Sequence, residues 1–103
     1  MKREFVETEL FIKTWKALNL SDDELKELQN ALFINPVSGT LIQGAGGARK
    51  LRIAFKGQGK SGGGRVIYVD FIINERIYLL MVYPKSKMES LSDIQKNYHS
   101  KID

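Results

Sequence analysis

The hydrophobic period of this chain changes once, in the middle, and that change limits the fold more than any other feature. From Thr8 to Leu32 the apolar residues recur every three or four positions. From Lys50 onward they alternate. Phe11, Trp15 and Leu18, with Ile12 beside them, make one helical stripe, and Asn19 stops it. Leu25, Leu28 and Leu32, with Ala31 alongside, make a second. Ser21 and Glu24 have the spacing of a capping box at its start, with Leu20 and Leu25 placed to staple across it. Three acids in that first turn suit the helix dipole. Asn35-Pro36 ends the helix, because a residue before proline is pushed out of the α region.

Ahead of the first helix, Lys2–Glu7 reads as a short strand at or near a sheet edge, with Phe5 and Val6 between charges. Val37–Ala48 holds four glycines and reads as a loop. Leu51, Ile53 and Phe55 then alternate with Lys50, Arg52, Ala54 and Lys56, which predicts a strand with one apolar and one basic face. Gly57–Gly64 is a second loop. Arg65–Ile73 and Arg76–Tyr83 are two more strands joined at Asn74-Glu75, as in an antiparallel hairpin. Met88–His99 has the spacing of a closing helix. The expected architecture is α+β in one domain, residues 1–103. A two-helix hairpin packs on a small antiparallel sheet, in the order β-α-α-β-β-β with the optional last helix.

Charge divides along the same line. Residues 1–27 carry five basic and seven acidic side chains; residues 28–69 carry six basic and none acidic; residues 70–103 carry five of each. The net charge of +4 is thus concentrated in the glycine-rich middle, where it forms a purely cationic block. Such a block attracts polyanions, above all nucleic-acid phosphates. Cysteine is absent and histidine occurs once, as His99. Disulfides, thiolate metal sites and a cysteine nucleophile are therefore excluded, and a serine–histidine triad has little to build with. The chain is expected in the cytoplasm. Its longest apolar run, Ile77–Tyr83, has seven residues, against the ~20 of a membrane helix. Met1-Lys2-Arg3 leads into Glu4 and not into an apolar leader segment.

Two nucleotide-binding patterns fail on inspection. Gly57-Gln58-Gly59-Lys60-Ser61-Gly62 matches G-x-G-x-x-G, but a strand follows it where the dinucleotide fingerprint needs a helix. Gly59-Lys60-Ser61 resembles the end of a P-loop, but Ala54 stands where its first glycine belongs. Tyr68, Tyr78 and Tyr83 lie on strands; two of them suit the core, and one could stack on a base.

The run Gly46-Gly47-Ala48-Arg49-Lys50-Leu51-Arg52-Ile53-Ala54-Phe55-Lys56-Gly57, the loop to Gly64 and then Arg65-Val66-Ile67-Tyr68 resemble the RelE/ParE superfamily of toxins. With Tyr78–Lys85 and Met88-Glu89-Ser90-Leu91 after them, and Asn35-Pro36, Gly39 and Ile42-Gln43-Gly44 before, the pattern is most similar to the HigB-type RelE toxins of type II toxin–antitoxin modules. The resemblance covers nearly the whole chain. It implies an mRNA interferase, an endoribonuclease that cuts mRNA in the ribosomal A site without a cofactor. It also implies neutralisation by a cognate antitoxin, expected to carry a helix-turn-helix domain. Two rival functions remain: a ParE-like inhibitor of DNA gyrase on the same fold, and an RNA-binding module without catalysis.

By position, the family's basic residues fall on Lys56, Lys60, Arg65 and Lys85. Ser86 stands where RelE relatives carry arginine, and Ser92 where they carry tyrosine; Lys87 and Tyr98 are the nearest carriers of that charge and ring. RNA supplies its own nucleophile, the 2′-hydroxyl. Cutting then needs removal of the 2′ proton, stabilisation of the phosphorane charge and protonation of the 5′ oxygen. Arginine provides a fixed fork for the charge. A lysine can take the proton only when partly neutral, a state that crowding by like charges favours. The expected catalytic set is Lys56 as base or charge stabiliser, Arg65 on the scissile phosphate, and Lys85 or Lys87 at the leaving group. Arg49, Lys50, Arg52 and Lys60 are expected to hold the RNA backbone.

Overall fold

A computed structural model describes residues 3–55 and 63–86. The elements follow in the order β1 (Glu4–Glu7), α1 (Glu9–Ala17), α2 (Asp22–Ile34), β2 (Thr40–Leu41), β3 (Ala48–Ile53), β4 (Gly64–Phe71) and β5 (Arg76–Pro84). They build one five-stranded sheet, ordered β1-β5-β4-β3-β2, with the helices on one face.

The helix ends form as their sequences require. Thr8 caps α1, its hydroxyl accepting from the Phe11 amide. Asn19 adopts φ 55°, a left-handed conformation that asparagine tolerates, and the chain turns there. The capping box at α2 is complete: the Ser21 side chain accepts from the Glu24 amide and the Glu24 carboxylate accepts from the Ser21 amide. Asn35 closes the helix before Pro36.

The core beneath the helices joins Phe11, Trp15, Leu28 and Leu32 to Val66, Tyr68, Ile77, Leu79 and Val82 of the sheet. Phe11 and Trp15 stack with ring centroids 5.3 Å apart. Tyr68 is fully buried, with its hydroxyl donating to Pro36 O and accepting from the Gly39 amide. That hydroxyl holds the 36–39 crossing against the sheet. Tyr68→Phe removes it and strands both backbone groups. We expect a loss of about 1–3 kcal/mol in urea unfolding, the usual penalty for an unpaired buried donor.

The sheet is mixed and not antiparallel throughout. β1 lies parallel to β5, with Glu4 opposite Arg76 and Glu7 opposite Leu79. The hairpin α1–α2 carries the chain across the sheet face, so β1 need not run opposite its neighbour. Beyond Leu79 the edge of β5 is covered by α1: the Thr8 hydroxyl donates to Leu79 O and Leu80 O, and Thr14 Oγ1 accepts from the Val82 amide. The expected loop at 37–48 contains the short strand β2, where Thr40 pairs with Lys50 and Leu41 with Arg49. The third strand begins at Ala48 and ends at Ile53, before Phe55. β4 stops at Phe71, leaving Ile72 and Ile73 exposed in the turn to β5. The predicted closing helix at Met88–His99 and residues 57–62 of the predicted loop Gly57–Gly64 lie outside the described residues, and Gly64 opens β4.

One irregularity decides what the second face of the sheet looks like. Ile67 pairs with Met81 but Tyr68 pairs with Leu79, so Leu80 is an extra residue on β5. Before this bulge, Ile77 and Leu79 face the helices. After it, Val82 does, while Met81 and Tyr83 turn to the other face. That face carries an apolar half made of Ala48, Ile67, Val69, Leu80 and Met81.

Candidate nucleic-acid interface

The cationic half of the same face is built by strand parity. In β3, Leu51 and Ile53 pack toward the helices, so Lys50 and Arg52 point the other way with Ala48. In β4, Val66 and Tyr68 face the helices and Arg65 faces away with Ile67 and Val69. Register then lines up a row across three strands: Arg52 opposite Arg65, and Arg65 opposite Tyr83. Thr40 opposite Lys50 flanks the row on the β2 side. Lys85 is held at its other end by the bond from its amide to Gly63 O.

These six residues, Thr40, Lys50, Arg52, Arg65, Tyr83 and Lys85, line one open cavity of about 370 Å³. Four are cations, and no carboxylate is among the described lining residues. Two arginines directly opposite on adjacent strands repel each other. A polyanion lying in the cavity turns that repulsion into attraction, since each fork can take two phosphate oxygens. Tyr83 supplies a ring next to Arg65, and Thr40 a hydroxyl next to Lys50.

Backbone packing fixes Arg65 from below. Gly64 lies opposite Pro84, and a Cβ there would come within 2.5 Å of Tyr83 O and against the Phe55 ring. Only glycine admits this approach, and it brings β4 and β5 together where the Arg65 side chain leaves the sheet. The Arg65 guanidinium also donates to Gly64 O at 3.0 Å, which directs the fork along its own strand.

Of the residues singled out in the sequence, Lys50, Arg52, Arg65 and Lys85 meet in this cavity. Arg49 does not join them. It has the opposite parity and donates to Gly39 O at 2.9 Å and Val37 O at 3.4 Å, tying the 37–39 segment to β3. Lys56, Lys60 and Lys87 lie outside the described residues. Thr40 is an addition that sequence reasoning missed, and Tyr83 is the one of three strand tyrosines that reaches the cavity lining. Thr40 sits in a stretch read as loop, and Tyr83 reaches this face only through the bulge at Leu80. Of the three strand tyrosines, Tyr68 is core, Tyr78 packs edge-on against Phe71, and Tyr83, also buried, closes the back of the cavity.

Two comparisons bear on this geometry. A family model described as the RelE toxin of the RelE / RelB toxin–antitoxin system matches residues 3–103. Among solved structures, a double arginine-to-alanine mutant of the E. coli toxin RelE in the free state superposes with a TM-score of 0.65. It has 16% sequence identity and covers 99% of both chains. At that identity the superposition establishes the shared fold: two helices on a five-stranded mixed sheet.

Proposed function

We propose, from the premise that this chain belongs to the RelE toxin family of RelE/RelB toxin–antitoxin systems, that it is a ribosome-dependent mRNA interferase acting in the cytoplasm. The observation that carries the reading is the convergence of Lys50, Arg52, Arg65 and Lys85 on one cavity that no described carboxylate lines. A surface shaped only to bind protein has no need of four cations around a hollow beside an aromatic ring.

The chemistry is in-line attack of a 2′-hydroxyl on its own phosphate. Arg65, in the middle of the Arg52–Arg65–Tyr83 row, grips the scissile phosphate and stabilises the charge that grows on it. Arg52 holds the same or the neighbouring phosphate from β3. Lys50 puts positive charge beside the attacking 2′ oxygen as its proton leaves to water, and Lys85 donates a proton to the 5′ oxygen. Tyr83, buried at 6% exposure, backs the row as a rigid floor behind Arg65. Lys56 and Lys87 stay in the proposal as further cations from the segments that flank the cavity in sequence. Histidine is not needed for any of these tasks.

The deciding experiment is cleavage of mRNA on programmed ribosomes, mapped by primer extension, with gyrase supercoiling assayed in parallel. We expect breaks in mRNA at the A-site codon and unaltered supercoiling. Inhibited supercoiling with intact mRNA would overturn the reading in favour of a gyrase poison. Binding without breaks would favour a non-catalytic RNA module. Affinity for a single-stranded RNA oligonucleotide should fall steeply with salt. Replacing one of Lys50, Arg52 or Lys85 by alanine should reduce the log–log salt slope by about 0.7 each, the value for one lost phosphate contact on a single strand. Titration by fluorescence anisotropy at several salt concentrations measures it.

A further inference from the structure

The side chains that line the cationic cavity differ in what they can offer a nucleotide. Lys50, Arg52, Arg65 and Lys85 only donate hydrogen bonds, and an ionised phosphate only accepts them. Tyr83 is buried at the back. Thr40 is different, because its side chain is exposed and its hydroxyl both donates and accepts. In a sugar–phosphate backbone the ribose 2′-hydroxyl is the group with a proton to give, and DNA lacks it. An accepting oxygen among four cations is therefore matched to ribose, while phosphate has no use for it. Thr40 also stands opposite Lys50 in the β2–β3 pair, next to the cation assigned to the 2′ oxygen.

Thr40 must be held in register to do this. β2 has two residues and ends the sheet, and a slip of one position would put Leu41 in the cavity instead. The grip comes from the other face. Arg49 and Tyr68 lie opposite one another on β3 and β4, on the helix side. Arg49 donates to Val37 O and Gly39 O, and the Tyr68 hydroxyl donates to Pro36 O and accepts from the Gly39 amide. Gly39 is thus held at its amide and at its carbonyl, one residue before Thr40. The fit is close: a Cβ on Gly39 would lie 2.8 Å from Tyr68 Cε1 and 3.1 Å from Lys50 O.

We propose that Thr40 reads the ribose 2′-hydroxyl of the nucleotide in the cavity, and that Arg49 is the positioning residue that holds Thr40 there from the far side of the sheet. The proposal rests on the cavity as an RNA site and is independent of whether the RNA is cut. It gives Arg49 a task other than the backbone contact expected from its charge. In the run Arg49-Lys50-Leu51-Arg52 the cations divide by parity. Lys50 and Arg52 meet the anion, and Arg49 sets the wall that recognises its sugar.

The test is a ratio of affinities. Fluorescence anisotropy with the full chain compares a short oligouridylate with the oligodeoxyuridylate of equal length, which differ only in their 2′-hydroxyls. Wild type should prefer the ribose strand by roughly 3–10-fold, the worth of one net hydrogen bond. Thr40→Val keeps the shape of the side chain and suits a strand, and it should abolish the preference. Arg49→Met should abolish it too, at an undiminished salt slope, because Arg49 touches no phosphate. The double variant should be no worse than either single one, as for two residues acting through one contact. A merely destabilised protein binds both strands less well and keeps the ratio. If Arg49→Met does not fold, Arg49→Lys decides: it keeps the charge and loses the two-point grip, so its preference should fall below that of wild type. No ribose preference in the wild type, a preference retained in Thr40→Val, or a wild-type ratio in a folded Arg49 variant overturns the proposal. Breaks in mRNA on ribosomes without a ribose preference would remove this reading and leave the nuclease. A preference that depends on Thr40, without breaks, would do the reverse.

Discussion

Replacing Arg65 with methionine should cut single-turnover cleavage on programmed ribosomes by roughly 10²–10³-fold, the cost of losing one charge-stabilising donor at a reacting centre. Methionine keeps the stem that packs along β4 and removes only the charge and the fork. Arg65→Lys should fall between, since an ammonium restores the charge but not two-point contact with phosphate. The same Arg65→Met change should make the protein more stable. Arg52 and Arg65 are opposite one another, and a like-charge cross-strand pair costs about 0.2–1 kcal/mol. For a domain near this size that corresponds to a rise of roughly 1–8 °C in melting temperature. Activity lost together with stability gained is the signature of a cluster assembled for an anion. Unchanged cleavage would remove Arg65 from the reaction.

The largest stability effect is expected far from the cavity. Arg3, just before β1, reaches across β5 to Asp70 on β4: Nε lies 2.9 Å from Oδ1 and Nη2 3.4 Å from Oδ2. Both side chains are nearly buried, 4% and 7% exposed. Asp70→Leu takes from a part-buried arginine the carboxylate that its Nε and Nη2 both reach, and should cost about 3–5 kcal/mol in urea unfolding. Against the total of ~5–15 kcal/mol typical of a domain, that brings the protein close to unfolding at ambient temperature. Adding Arg3→Met to Asp70→Leu should recover most of the loss, because two apolar side chains then fill the space and neither charge is stranded. If the double variant is no more stable than the single one, the ion pair itself contributes the stability, and a stranded charge is not the cause of the loss.

Much of this fold is legible in the sequence because the helices carry their own signals. Ser21 and Glu24 announce the start of α2, Asn35-Pro36 its end, and Phe11, Trp15 and Leu18 the buried side of α1. The sheet is less legible, for three physical reasons. Strand direction leaves no trace in periodicity, so the parallel pairing of β1 with β5 is invisible until the chain is folded. β2 is two residues long and exists only because Thr40 and Leu41 find Lys50 and Arg49; alone, the glycine-rich stretch gives no reason to extend. The bulge at Leu80 breaks alternation within an unbroken apolar run, where every residue looks equally fit for the core. Strict alternation places Tyr83 with Leu79 under the helices, and the extra residue moves it beside Arg65 instead.

The candidate site obeys the same logic. Lys50 and Arg52 are readable as companions because they share parity, and the same rule separates Arg49 from them. Joining β3 to β4 and β5 in one cavity requires the register of both hairpins, which sequence alone does not supply. The tie from Arg49 to Gly39 O and Val37 O has no signal at all, since nothing in the order of residues shows which carbonyls lie within its reach.

The position of β5 within the sheet has a consequence for how such a molecule is made. β5 lies between β1 and β4, yet it is the last of the described strands to leave the ribosome. Until it emerges, β1 has nowhere to lie, α1 has no surface to cover, and the cationic hollow lacks its tyrosine wall. The earlier strands thus leave a translating ribosome with no site between them, and the cationic hollow closes only after β5 has followed.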